Sequence, residues 1–256
     1  MVLLFTSTGG LRMRSLAGIG TNYSNLIILN RRIDDMSLAY KISGWNRRRK
    51  WQLFLNAIQP TAETTILDCG FTDKEFSQTY NFLEKNYPYP DQITALSIDE
   101  SQEFNARYPQ IKTIVYDGKI FPFSDQSFDV CWSNAVLEHV GNQERQILFL
   151  KEIKRVAKVG FITTPNRYFP IEVHTRTLFL HFLPKKIFDR YLHFTGKEWA
   201  SGEYMYLLSV RDLHSLLHAA GITQYKIIKN RLLFFVLDFV IIFETIAGKK
   251  ELCNPS

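Results

Sequence analysis

The chain has 256 residues, of which 46% are hydrophobic, 14% aromatic and 22% charged, with neither glycine nor proline enriched. That composition excludes collagen-like, low-complexity and wholly disordered chains, and this length favours one large domain with at most a small appendage. The net charge of +6 is unevenly placed, because residues 1–60 hold nine Lys/Arg against only Asp34 and Asp35, and the remainder is close to neutral.

Residues 1–34 mix Gly, Ser, Thr and short apolar patches without a sustained period and are expected to be poorly ordered. The run Val2 to Phe5 lacks a basic flank and is too short for a signal peptide. Helical patterning begins near Asp35 and closes at Pro60, giving a helical layer over 35–60 that Gly44 is expected to interrupt. Arg47, Arg48, Arg49 and Lys50 are expected on the outside of this layer, either as a solvated helix end or as a steering patch for an anionic partner.

From Thr64 onward, short apolar runs alternate with helix-like segments. Thr65–Asp68, Ile93–Ile98, Thr113–Val115, Phe128–Trp132 and Gly160–Thr163 are too short for helices, whereas Glu75–Lys85, Ser101–Tyr108 and Glu144–Lys158 carry helical composition. Such alternation predicts an α/β domain over 35–250 with a mostly parallel sheet covered on both faces. After Pro165 it stops, and residues 165–209, rich in Pro, His, Tyr and Phe, are expected to form a lid or insert. It resumes with a helix from Val210 and two closing strands. The apolar run Leu232 to Phe243 contains Asp238 and is too short to span a bilayer, so it reads as a buried strand, with peripheral membrane contact as the lesser alternative. Cys69, Cys131 and Cys253 form no paired framework, which favours a reducing, cytoplasmic setting.

In an open parallel sheet, ligands bind beyond the carboxyl ends of the strands. The residues there are Asp68-Cys69-Gly70, Asp99-Glu100, Asp117-Gly118, Ser133-Asn134 and Thr164-Pro165-Asn166. Carboxylates recurring at three successive strand ends suit the hydroxyls and amine of a nucleoside, although any one alone serves equally as a helix cap or turn former. His214 and His218 share a helical spacing but have no clear third ligand, and no metal site is expected.

The string Asp117-Gly118-Lys119-Ile120-Phe121-Pro122-Phe123-Ser124-Asp125-Gln126-Ser127-Phe128-Asp129, followed by Val136-Leu137-Glu138-His139-Val140, resembles the class I S-adenosylmethionine-dependent methyltransferases, in the branch of the type 11 domain. The resemblance implies a Rossmann-like, mostly parallel seven-stranded sheet with helices on both faces and an antiparallel closing strand. It implies S-adenosylmethionine as cofactor, with Asp68 and Gly70 near its amino-acid part, Asp99 on the ribose, Asp117 and Gly118 at the adenine, and Ser133 and Asn134 edging the transfer site; beside Gly70, either Thr72 and its neighbours hold the cofactor in a modified loop or the site has lost it. The opening motif departs from the family, since Asp68-Cys69-Gly70-Phe71-Thr72-Asp73-Lys74 lacks two of the three usual glycines.

Methyl transfer demands alignment more than a side-chain nucleophile, and if the acceptor is a hydroxyl, His139 or His174 is the candidate base, each with an alternative as an ordinary helix-start or loop residue. Two functions follow. One is methylation of an oxygen, less favourably a nitrogen or carbon, on a small-molecule, glycan or lipid-linked acceptor, with nucleic acid disfavoured by the neutral body. The other is a non-catalytic methyltransferase-like binding module with a degenerate cofactor loop.

Overall fold

The computed structural model describes residues 23–75, 78–172, 175, 177–202 and 205–245, with side chains described from Lys41 onward and that of Trp199 excepted. Its elements are α1 (Tyr23–Ile58), β1 (Ile66–Asp68), α2 (Phe82–Asn86), β2 (Ile93–Ser97), α3 (Gln102–Arg107), β3 (Lys112–Val115) and β4 (Phe128–Asn134). They continue with α4 (Gln143–Val156), β5 (Ala157–Pro165), β6 (Ile171–Glu172), β7 (Thr177–Leu178), α5 (Lys185–Phe194), α6 (Val210–Ala219), β8 (Tyr225–Leu232) and β9 (Phe235–Glu244). Seven strands form one sheet in the order β3-β2-β1-β4-β5-β9-β8. β1 pairs in parallel with β2 and β4, β4 pairs in parallel with β5, and β9 runs antiparallel to both its neighbours. The expected Rossmann-like α/β architecture is therefore present, with its antiparallel strand between β5 and the edge strand β8.

Alternation along each strand splits the core into two layers. Leu67, Cys131 and Ile162 face α4 and α6, packing with Leu150, Ile153, Leu213 and Leu216. The residues between them, Ile66, Val130, Trp132 and Phe161, pack with Trp51, Phe54, Leu83 and Phe104 on the opposite face. There the indole of Trp132 stacks on Phe161 at 5.1 Å, and Phe54 of α1 sets its edge on both, at 5.0 and 5.3 Å. These offset and edge-on aromatic pairs anchor α1 to the sheet.

Three expectations change. Helix α1 begins at Tyr23, ahead of Asp35, and continues through Gly44 without a break; residues 1–22 lie outside the described residues. Of the helical stretch expected over Glu75–Lys85, a helix is present over Phe82–Asn86. The basic cluster is not all outward. An α-helix turns by about 100° per residue, so four successive side chains point around the whole circumference. Arg48 and Arg49 are exposed, whereas Lys50 is buried. The Lys50 ammonium lies 2.8 Å from Asn134 Oδ1, 3.3 Å from Thr163 Oγ1 and 3.3 Å from Asp238 Oδ2. Asn46, one turn earlier, donates to Asp238 Oδ2 at 2.7 Å and accepts from Asn230. Burial pushes the Lys50 ammonium below its ordinary pKa, against the opposing pull of Asp238. Burial likewise pushes Arg47 down to about 10.

Candidate cofactor site

The strand order reverses between β1 and β4, which opens a crevice beyond their carboxyl ends. Asp68 closes β1 inside that crevice and is buried. Its neighbour is the buried Glu84 of α2, and the two carboxyl groups share a hydrogen bond. Burial pushes Asp68 well above the usual carboxylate range and Glu84 adds to the shift; burial also raises Glu84. Proximity and burial therefore favour the protonated form of the pair, and among the described residues Asp68 Oδ1 and Glu84 Oε1 have no hydrogen-bond partner. Ser133 Oγ, at the end of β4, is also buried and unpartnered.

The glycine-poor loop is closed by side chains. Phe71 is buried against Phe104, ring centroids 4.1 Å apart, and Thr72 is buried as well. Asn81, in the left-handed region at φ 47°, accepts from the Thr72 amide at 2.8 Å and donates to its carbonyl at 2.8 Å. Glu75 in turn accepts from Asn81 and from the Tyr108 hydroxyl and pairs with Lys85. Thr72 Oγ1 also donates to Asn81, so its hydroxyl is engaged inside the loop. Gly70 is favoured by the turn after β4, since a Cβ there would stand 2.6 Å from Val136 Cγ2. Asn134 is committed to Lys50 and Thr163.

The other predicted carboxylates are open to solvent. β2 stops at Ser97, so Asp99 sits in the following turn, where Ser97 Oγ accepts from its amide at 3.1 Å and donates to its carbonyl at 2.7 Å. Asp117 follows β3, and its Oδ1 accepts from the Lys119 amide at 2.9 Å. Gly118 takes φ +78°, a conformation that suits glycine, and a Cβ on it would come into van der Waals contact with Ile98 at 3.5 Å. Ile98 and Ile120 are exposed beside these acids. Carboxylates beside exposed isoleucines offer acceptors for hydroxyls and an amine next to apolar surface for a flat ring.

His139 is held in the short turn Leu137–His139 after β4, with Nε2 3.8 Å from Glu138 Oε1. Glu138 is fully buried and accepts from Thr164 Oγ1 at 2.9 Å. His174 lies outside the described residues. Reading the sequence did not single out Asn81 or Glu84, and it placed Lys50 on the outside. Each acts through a partner distant in the chain, and no local pattern marks such a pairing. His214 belongs elsewhere, with Nδ1 2.6 Å from the Tyr225 hydroxyl. Shallow clefts lined by Lys154, Gln224 and Thr245, and by Gln126 and Arg155, lie at the opposite end of the sheet.

An S-adenosyl donor presents an ammonium, ribose hydroxyls and an adenine amine. Unpartnered buried oxygens on Asp68, Glu84 and Ser133, followed along the sheet by the open acids Asp99 and Asp117, are a donor-matched set of acceptors for it. The residues present fit the group, in spite of the missing glycines.

Residues 67–162 match the family model described as a methyltransferase domain. A curated malonyl-[acyl-carrier protein] O-methyltransferase of Erwinia pyrifoliae is 30% identical over 116 residues, which are 44% of this chain and 41% of that protein. The matched part is thus less than half of that relative. Among solved structures, a Nostoc punctiforme protein named provisionally as an O-methyltransferase superposes with a TM-score of 0.50 at 16% identity, over 79% of this chain and 56% of its own. A SAM-dependent methyltransferase from Methanosarcina mazei has a TM-score of 0.48 at 20% identity, over 74% of this chain and 95% of its own. At such identity the likeness with the Nostoc protein is one of fold.

Proposed function

The chain carries a class I methyltransferase domain, and on that premise we propose that it transfers a methyl group from S-adenosylmethionine to an oxygen of a small-molecule, glycan or lipid-linked acceptor. The observation that carries the reading is the row of carboxylates at the ends of β1, β2 and β3, buried at Asp68 and open at Asp99 and Asp117. The name of the Erwinia relative, an O-methyltransferase, supports oxygen over nitrogen or carbon.

When bound, the cofactor supplies an electrophilic methyl group on a sulfonium. Asp68 and Glu84 would hold its amino-acid end, where the ligand's ammonium would favour their ionised form. Asp99 and Asp117 would accept from the ribose and the adenine amine. Phe71 and the Asn81-braced loop keep water from the inner wall. For a hydroxyl acceptor, His139 takes the proton, and Glu138 favours the imidazolium so formed.

A second reading, a binding module without catalysis, is favoured by one observation: Thr72 and Lys74 stand where the family has glycines, and Thr72 is buried within the loop. Calorimetry separates the two. Saturable binding of S-adenosylmethionine and of its demethylated product, lost in both Asp99→Ala and Asp117→Ala, is the expected outcome and justifies screening hydroxyl acceptors with labelled donor. A well-folded chain that binds neither nucleoside would leave the binding-module reading.

A further inference from the structure

The hairpin joining β8 to β9 turns through Leu233 and Phe234, two residues whose side chains are 82% and 89% exposed. Phe235, the first residue of β9, is exposed too. Leu233 adopts φ 54°, a turn conformation that Gly or Asn fits better. Among the described residues neither backbone preference nor core packing accounts for leucine and phenylalanine at this tip, and an apolar turn so exposed marks a contact surface.

The surroundings specify its chemistry. Arg231 donates from Nη1 to the Phe234 carbonyl at 3.3 Å, and Arg49 of α1 donates to the Arg231 carbonyl at 2.8 Å. The Arg49 guanidinium lies 5.3 Å from the ring centroid of Trp45, whose side chain is exposed. Trp45, Arg49, Arg231 and the turn thus form one connected surface. Residues 41–58 and 225–237 contain no Asp or Glu, so both segments that build the surface carry positive charge only. β9 runs antiparallel to β5, and Asp238 near its start pairs with Pro165 at the end of β5, so the tip projects from the same end of the sheet as the crevice.

We propose that this chain docks on an anionic lipid bilayer through the Leu233–Phe234 turn, with Arg49 and Arg231 against the lipid headgroups. An apolar tip ringed by arginine, with an aromatic at its side, matches the layered chemistry of that interface, in which acyl chains lie beneath phosphates. Among the described residues no helix is long and apolar enough to cross a membrane, so the contact is peripheral. It does not depend on methyl transfer, because vesicle binding is measured without donor or acceptor.

The test is flotation of the full chain with vesicles of phosphatidylcholine alone and of phosphatidylcholine mixed with phosphatidylglycerol. Flotation is expected with the anionic vesicles and is expected to weaken as salt rises. Replacing both tip residues, Leu233→Ser with Phe234→Ser, should lower partitioning by at least about tenfold, with an unchanged melting temperature because both side chains are exposed. Arg49→Gln and Arg231→Gln should each cost about fivefold. Failure of the well-folded chain to float with anionic vesicles, or equal flotation by the tip variant, would overturn the proposal. So would a dimer in solution that the tip substitutions convert to monomer, since the occupant would then be a second copy.

Discussion

Two carboxyl groups buried side by side resist ionising together, and Asp68 with Glu84 is such a pair. Both are raised by burial, so between the ordinary carboxylate range and their folded values the native chain binds more protons than the unfolded one. Stability then falls as pH rises through that window and recovers as pH falls. Glu84→Gln replaces a shared proton with a permanent amide donor. It should raise stability on the alkaline side of that window by on the order of 1 kcal/mol and flatten the decline across it. Melting temperatures across that range check the sign, and a variant as pH-sensitive as the parent would show that the pair does not titrate there. Asp68 was legible from its place after a short apolar run. Glu84 was not, because its role comes from a contact across the sheet end.

Helix α1 shows how far an element can be read from sequence. Its apolar spacing marked a helix, but four consecutive basic residues gave no indication of which one turns inward. Docking decides that: Phe54 keys against Trp132 and Phe161, and the same rotation carries Lys50 to Asp238 and Asn134. Phe54→Ala should therefore cost about 3–5 kcal/mol, the usual range for emptying a fully buried phenylalanine site. Chemical denaturation measures it; a loss below 1 kcal/mol, by the same reasoning, would mean that α1 is not docked in solution. The stretch after β1 is the converse case. Helical composition over Glu75–Lys85 yields to Asn81, whose amide ties the loop at Thr72 in a conformation that no helix interior allows.

At the scale of the whole molecule, topology gathers the candidate functional residues at one end of the sheet. The carboxylate row, the Glu138–His139 pair, the insert after β5 and the Leu233–Phe234 tip all lie beyond the carboxyl ends of the parallel strands. The insert adds exposed Tyr168, Phe179 and Phe182, packed loosely on one another, to that end. A ligand held by the native crevice and not by the unfolded chain must stabilise the whole fold. The demethylated cofactor at a hundredfold excess over its Kd should add about 2.7 kcal/mol, seen as a rise in melting temperature. Asp117→Ala should abolish the rise without lowering the unliganded midpoint, since its side chain is exposed and bonds only a neighbouring amide.

Strand-helix alternation, the Asp-Gly to Phe-Asp block and the Glu-His pair determined the α/β class, the family resemblance and the acids at the strand ends, because those features are local in sequence and recur at fixed spacing. Tertiary structure alone decided which basic residue is buried, what closes the glycine-poor loop, that Asp68 pairs with Glu84, and that an apolar hairpin tip meets Arg49 of α1. Each of these joins side chains far apart in the chain. Such contacts are selected by the packing of helices on the sheet, a condition that no short window of sequence contains.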